Sequence, residues 1–348
     1  MASKATPQAG KHYPTTDGEF RTWFQKDADC LDYLEWVRWP EGFVCPDCNS
    51  THGWRLGDGR YKCEECGART SPTAGTIFDR TRTPLTVWFD ICWTFATQKD
   101  GVSALALQRN HGLGSYQTAW AILHRLRSVL IRPGRELLSG VVEVDETLIG
   151  GSSPGDQGGR TPGEKALVAV AVERLKPKGF GRCRMVVIQN ATTLSLQTFL
   201  KENVAPGSTI VTDGWQPYRG ATSDIYIHQR HVAPDALAHQ LLPGVHRVSA
   251  LVKRWILGTH QGSMGDAHLQ LYLDEFVFRW NRRKSRNLGL RFLRLLELAA
   301  CHDPVRYRQL IKSKQPSKTL RTAPKTREKP ASMEQPGIDR PWRILSTS

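Results

Sequence analysis

Two short cysteine pairs constrain this chain more than any other feature of it. Cys45-Pro-Asp-Cys48 and Cys63-Glu-Glu-Cys66 each form a CxxC turn, and fourteen residues separate them. Two such turns, each on a hairpin knuckle, place four thiolates tetrahedrally around Zn²⁺ at about 2.3 Å. Four sulfurs close the coordination shell, so this metal is structural. Redox dithiols are the competing reading, but neither pair sits in the βαβ context that such chemistry uses. The zinc replaces a hydrophobic core too small to fold unaided. The flanking Arg55, Arg60, Lys62 and Arg69 are then either contacts for DNA phosphates or solvated surface charge. Cys30, Cys92, Cys183 and Cys301 are scattered and read as small buried apolar groups.

The charge balance narrows the partners. The 348 residues hold 48 Lys and Arg against 33 Asp and Glu, a formal net charge of +15. That uncompensated field favours a polyanion such as nucleic acid, without separating DNA from RNA or an acidic membrane surface. No apolar run approaches the roughly 20 residues needed to cross a bilayer, and Met1 to Thr16 lack the apolar centre of a secretion signal. The expected location is cytoplasmic, with the nucleoid, and no membrane is a partner.

Length predicts two or three cores, and the patterning divides the chain into five parts. Residues 1–18 are polar and aperiodic, a disordered leader. Residues 19–79 form the zinc-ribbon domain, opened by a short amphipathic helix in which Leu31, Leu34 and Val37 recur until Pro40 and pack on the cysteine module. Residues 80–135 are the helix-turn-helix DNA-binding region, within which 84–131 read as three helices. Residues 136–310 form a strand-rich, then helical, domain. Valine-rich strands are expected at Gly140 to Ile149, Lys165 to Arg174, Arg182 to Gln189 and Ser208 to Asp213, with a helix near 194–203 before the fourth. Beyond His246 the period is helical again, with Leu269, Tyr272, Leu273, Phe276 and Trp280 as one stripe. Residues 311–348 are a basic tail whose composition cannot bury a core and reads as disordered.

Within the second part, Ser103 caps a helix to about Asn110, Gly112 and Gly114 supply a turn, and Ser115 caps a second helix to about Leu130. Ala119, Ile122, Leu123, Leu126 and Leu130 form the buried stripe of that second helix. Tyr116, Gln117, Trp120, His124, Arg125 and Arg127 are left nearer the solvent side or its margin. Helix, glycine turn, helix is the geometry of a DNA-reading helix-turn-helix and equally of a plain packed hairpin. Tyr116, Gln117, His124, Arg125 and Arg127 are the candidate DNA contacts, and Trp120 reads as core as readily as contact.

Two acids stand where acids are costly. Asp145 lies inside Val141-Val-Glu-Val-Asp-Glu-Thr-Leu-Ile149, and strand alternation puts Val142, Val144 and Leu148 on the face opposite to it. Asp213 closes the apolar run Ser208-Thr-Ile-Val-Thr-Asp213. Either acid alone reads as well as a turn residue. Together, acids from adjacent strands can hold two divalent ions about 3.5 to 4 Å apart for in-line phosphodiester displacement. The following helix, His246-Arg-Val-Ser-Ala-Leu-Val-Lys253, has no acid, and His246 is the substitute ligand. Imidazole is a poor ligand for Mg²⁺ and an acceptable one for Mn²⁺, so the site is expected to tolerate Mn²⁺ well. Lys253 lies two turns along the same helix face and is placed to neutralise a phosphate. His228, His231, His239 and His246 form a loose cluster, whose irregular spacing makes a zinc hydrolase the weaker reading.

These residues resemble the bacterial and archaeal insertion-sequence transposases that join a zinc ribbon to an ISXO-type DDE domain. The resemblance spans roughly residues 20–300. Arg38-Trp-Pro-Glu-Gly-Phe-Val-Cys-Pro-Asp-Cys48, Ser71-Pro-Thr-Ala-Gly-Thr-Ile-Phe78, Trp88-Phe89, Gly101-Val-Ser-Ala104 and Thr118-Ala-Trp120 carry its first half. Val144-Asp-Glu-Thr147 with Gly150-Gly151, Thr212-Asp-Gly-Trp215 and Tyr272-Leu-Asp-Glu-Phe-Val-Phe-Arg-Trp-Asn281 carry the second. It implies an α/β fold: a ribonuclease-H-like mixed sheet flanked by helices, preceded by a zinc ribbon and a helix-turn-helix. It implies that Asp145, Asp213 and Lys253 are the first acid, the second acid and the trailing lysine. His246 stands where many relatives carry Glu or Asn, as in the histidine-bearing subgroup. The implied reaction is cleavage at the ends of a mobile element and strand transfer into target DNA, with Mg²⁺ or Mn²⁺, by at least a dimer on double-stranded DNA.

Overall fold

The structure is a computed structural model that describes residues 6–132, 134–150, 165–223, 225–231, 241–261 and 266–312. The expected basic tail therefore lies almost wholly outside the described residues. The chain divides into two compact units, one reaching Val129 and rejoined by Ser285–Lys312, the other running from Leu130 to Lys284. The sequence reading carried the second unit to residue 310. The difference comes from a helix, Leu288–Cys301, that packs in the first unit.

In the first unit, α1 (Asp17–Trp23) starts where the Thr16 hydroxyl accepts the Glu19 N–H, and α2 (Asp27–Arg38) follows. A three-stranded antiparallel ribbon comes next, β1 (Gly53–Arg55), β2 (Tyr61–Cys63) and β3 (Arg69–Thr70). Then come α3 (Leu85–Thr97), α4 (Ala104–Asn110) and α5 (Tyr116–Ser128). As expected, α2 packs on the cysteine module: Tyr61 Oη donates to Glu35 at 2.8 Å, and Arg55 pairs with Asp32. The core of the unit is aromatic, with Phe20, Phe24, Tyr33, Phe89 and Trp93 all within ring contact of Phe292. Edge-to-face and stacked rings add to what their burial contributes. Phe292 belongs to the returning helix, which explains why that helix leaves the second unit.

The expectation of a disordered leader to residue 18 is corrected for its described part. His12, Tyr13 and Pro14 are buried, the Tyr33 hydroxyl donates to the His12 carbonyl at 2.6 Å, and α1 itself begins at Asp17. A polar composition hid this because the contacts are made by a few rings and backbone groups. Of the four scattered cysteines, Cys30, Cys92 and Cys183 are buried as expected, whereas Cys301 is exposed at the end of its helix.

In the second unit, β4 (Val141–Ile149), β5 (Ala166–Arg174) and β6 (Phe180–Ile188) form an antiparallel meander. They are followed by α6 (Thr193–Asn203), β7 (Thr209–Thr212), α7 (Pro217–Thr222) and β8 (Ile227–Arg230). Two longer helices, α8 (Pro243–His260) and α9 (Leu269–Asn281), complete the unit. The sheet order is β6-β5-β4-β7-β8, with β7 parallel to β4 and β8 parallel to β7. This is the ribbon of one long meander extended by parallel crossovers, the ribonuclease-H-like arrangement expected from the sequence. The four anticipated strands and α6 fall within two residues of their expected bounds; α7 and β8 were not anticipated, being short and only weakly periodic. One face of the sheet packs on α6 and α7 through Val142, Val144, Leu196, Leu200 and Tyr218. The other packs on α8 and α9 through Val170, Val172, Val248, Val252 and Leu273.

Asp274 on α9 is buried, and desolvation pushes its carboxyl up to about 7 even though Gln270 donates a hydrogen bond to it at 2.9 Å and Arg135 lies nearby. A carboxyl raised above its unfolded value stabilises the fold fully at acid pH and loses that contribution as pH climbs through the folded value. The Asp274→Asn variant, which keeps an acceptor for Gln270, is expected to flatten the fall in unfolding free energy between about pH 4 and pH 7. Urea titrations at several pH values check this; parallel curves for the two proteins would refute it.

Candidate functional site

The zinc ribbon assembles as its spacing requires. The sulfurs of Cys45 and Cys66 are 3.6 Å apart, those of Cys48 and Cys63 are 3.5 Å apart, and all four lie within 4.8 Å of one another. Four thiolates 2.3 Å from one ion in a tetrahedron stand about 3.8 Å apart, so the donor set fits Zn²⁺. The Cys66 N–H, pointing at the Cys63 sulfur, brings that thiol down to about 7. Behind the metal, Trp39, Phe43 and Tyr61 make a small packed cluster with Cys45 and Cys63.

In the second unit, strand parity assigns the acids. Val142 and Val144 face α6, so Glu143 and Asp145 face α8, as the alternation of a strand demands. Val211 on β7 packs in the α8 and α9 cluster, and Asp213 two residues later returns to that side. The parallel pairing ends at Glu143 beside Val211, so Asp145 and Asp213 each stand two residues beyond the last pair. Both are half-buried. The Asp145 carboxylate accepts the Glu146 N–H at 2.8 Å, and the Asp213 carboxylate accepts the Trp215 N–H at 3.0 Å. The buried phenol of Tyr218, on the α6 and α7 face, donates to Glu146 at 2.5 Å and is held well above its usual range by burial first, and then by the charges of Glu146, Asp145 and Asp213.

α8 packs against β4 and β5. His246 lies exposed in its first turn, and Lys253 lies further along. Partial burial, and then the nearby charge of Lys165, lower the Lys253 ammonium below the usual lysine range. His246 and the two acids do not form a group whose ligand atoms all lie within 4.8 Å of one another; among the described residues that condition is met by the four cysteines. His228 bonds Thr212 at 2.8 Å, and His239 lies outside the described residues.

The sequence reading missed the residue that sets the start of α8. Glu143 is fully buried on β4, and its carboxylate accepts the N–H groups of Gly244 at 2.7 Å and Val245 at 3.0 Å. α8 has no side-chain cap of its own, so this strand acid satisfies its first orphan donors and meets the positive end of its dipole. Arg174 pairs with Glu143 and donates to the Leu241 carbonyl at 3.0 Å. The signal was present: an acid sharing the parity of Asp145 in a valine-rich strand needs a partner too. A methyl at position 244 would stand 2.8 Å from the Phe180 ring and 2.9 Å from the Glu143 carboxylate. Glu143→Ala, which strands Arg174 and two amides, is expected to cost about 3–5 kcal/mol in a denaturant titration. A loss below 1 kcal/mol would remove Glu143 from this role.

The helix-turn-helix forms with the expected bounds and caps: the Ser103 hydroxyl accepts from Ala106 and the Ser115 hydroxyl from Thr118. Ala119, Ile122, Leu123, Leu126 and Leu130 are all buried. Tyr116 and Gln117 are exposed at the start of α5. The outward placing of His124 and Arg127 is corrected, since both are buried, and the His124 ring lies tilted against Trp120 with ring centroids 4.0 Å apart. Arg125 is half-buried, and its Nε–H donates to the Val305 carbonyl at 2.8 Å. The reason is the chain's return. Residues after Cys301, with Tyr307 6.2 Å from Trp120 between ring centroids, cover the face of α5 that a two-helix reading leaves open.

The chain thus joins a zinc ribbon, a helix-turn-helix and a ribonuclease-H-like mixed sheet, and two of its segments match transposase domains. Residues 25–69 match the transposase zinc-ribbon domain and residues 137–281 match the ISXO2-like transposase domain, and the two segments belong to those families. An uncharacterized protein in the transposable element ISH50 of Halobacterium salinarum is 25% identical over 280 residues, covering 74% of this chain and 91% of that protein. A chain in the cryo-electron-microscopy structure of the simian T-cell lymphotropic virus intasome with the PP2A regulatory subunit B56 gamma is 13% identical. The match covers 65% of this chain and 77% of that one at a TM-score of 0.29, too low to bear on either fold or function. Among the described residues, no helix is long and apolar enough to cross a membrane.

Proposed function

We propose that this transposase binds the terminal inverted repeats of its own element as a dimer or higher oligomer and cuts and rejoins DNA with Asp145, Asp213, His246 and Lys253. The observation that supports the reading is the parallel pairing of β4 and β7, which ends with Glu143 beside Val211 and, if continued by two residues, would bring the half-buried Asp145 level with Asp213. Asp145 and Asp213, with His246, would hold two Mg²⁺ or Mn²⁺ ions, which when bound activate the attacking oxygen and stabilise the leaving one. Cleavage adds water across a phosphodiester and frees a 3′ hydroxyl; transfer then lets that hydroxyl attack a target phosphodiester, whose own 3′ oxygen leaves.

The chain's residues serve these steps separately. Glu143 holds the start of α8 and so the placement of His246, Tyr218 ties Glu146 down on the opposite face, and Lys253 offers a cation to a substrate phosphate. Tyr116 and Gln117, exposed on the first turn of α5, are the side chains best placed to reach base edges in a major groove. Arg125 is at its margin, and His124 and Arg127 would act from beneath as support.

Incubating the full chain with DNA carrying its element's ends, in Mg²⁺ and in Mn²⁺, tests the reading. Nicking at the element ends, with Mn²⁺ at least as effective as Mg²⁺, is the expected result. Tight binding to the ends with no strand ever cut would instead define a regulator that keeps the scaffold without the chemistry.

A further inference from the structure

The ribbon sorts its basic residues by strand parity, and the sorting points to a nucleic-acid surface. Trp54 on β1 pairs with Lys62 on β2, and Lys62 pairs with Arg69 on β3, so the three form one cross-strand row. The neighbouring row, Arg55, Tyr61 and Thr70, turns the other way. Tyr61 stacks on Phe43 there, and Arg55 pairs with Asp32 and Glu35 of α2. Arg60 is held by Asp58 in the turn between β1 and β2. Two of the four cations flanking the cysteines are thus engaged by acids of the protein itself.

Trp54, Lys62 and Arg69 are on the other side. Trp54 is 48% exposed, and the Lys62 ammonium lies 5.3 Å from its ring centroid. The indole N–H of Trp54 donates to no acceptor among the described residues, and Arg69 is exposed. Neither Lys62 nor Arg69 forms an ion pair among the described residues. Single exposed apolar residues are common, and what sets Trp54 apart is the lysine ammonium held over its ring in a row that also carries Arg69. Adjacent strands lie about 4.8 Å apart, so the row presents a ring and two cations within a span of roughly 10 Å.

We propose that this row is a docking surface for the sugar–phosphate backbone of duplex DNA, an inference that rests on the DNA-binding reading above. Lys62 and Arg69 take phosphates, and Trp54 lays its ring against the sugars while its N–H donates to a phosphate oxygen. Charge complementarity selects the occupant: the row is cationic, and the whole chain carries +15. Contacts of this kind position a protein on DNA without reading sequence. The ribbon would then supply affinity, and the helix-turn-helix the choice of site.

The test compares the full chain with Lys62→Ala/Arg69→Ala, Trp54→Ala and Arg60→Ala, each first shown to retain one zinc per chain. Affinity for element-end duplex and for an unrelated duplex is measured across a range of salt. The double variant is expected to lose at least tenfold on both duplexes at about 0.1 M salt, and its slope of log K against log salt to fall by about 2, since each lost phosphate contact removes about 0.9. Trp54→Ala should weaken both duplexes alike, and Arg60→Ala should change neither slope nor affinity. Wild-type slope in the double variant, while the wild-type chain binds DNA, would overturn the row alone. No binding by the wild-type chain would overturn the DNA-binding reading and the row with it. If Trp54→Ala weakened only single-stranded DNA, the duplex assignment would be wrong.

Discussion

Asp145→Ala is expected to lower metal-dependent strand cleavage by at least a thousandfold, equivalent to about 4 kcal/mol of barrier, while leaving duplex binding within a few-fold of wild type. Asp145 is half-buried on the central strand β4, two residues beyond the last pair that β4 makes with β7, and Asp213 stands two residues beyond the same pair on the other strand. On the proposed two-ion reading, removing it would take away a ligand for the ions that assist the attacking and leaving oxygens. Asp145 is half-buried rather than enclosed in the core, so the fold should tolerate the smaller side chain. Single-turnover cleavage assays on element-end DNA, run beside a binding titration, measure the two effects separately. Cleavage within tenfold of wild type would remove Asp145 from the reaction, and with it the two-acid reading.

The second large effect is on folding. Cys63→Ala opens the zinc shell that the four sulfurs form, and structural zinc contributes about 10–16 kcal/mol of apparent binding free energy in small ribbons. The packed residues behind the metal, Trp39, Phe43 and Tyr61, are too few to hold the ribbon without it. The variant should lose its zinc and the protection of its ribbon amides from exchange, and should bind DNA more weakly. The sheet of the second unit has its own two cores and should remain folded. Hydrogen exchange resolved along the chain distinguishes this outcome from global unfolding. A variant that keeps both its zinc and the protection of β1 to β3 would show that the four thiols are not the metal's shell.

Legibility varied with the range of the contacts. The ribbon, the helix-turn-helix, the four valine-rich strands and the α9 stripe were readable because each is announced by local spacing: CxxC, capping serines around a glycine turn, and periods of two and 3.6. Asp145 and Asp213 were readable as charges inside or at the end of apolar strands. Glu143 carries the same signal but has a positioning contact, and only its partners, Gly244, Val245 and Arg174, tell the two acids apart. His124 and Arg127 went the other way. Polar letters on an amphipathic helix point outward until a distant segment covers them, and the cover here comes from residues after Cys301.

The amino-acid order by itself determined which segments become helix, strand and zinc knuckle, and which acids sit at a cost, because those follow from chemistry within a few residues. Tertiary structure alone decided that β7 lies parallel beside β4, that Leu288–Cys301 returns to the first unit, and which basic groups of the ribbon remain outside. These are pairings between residues far apart in the chain. Apolar burial that drives them is non-directional, so partner and register emerge only when whole faces are matched in three dimensions.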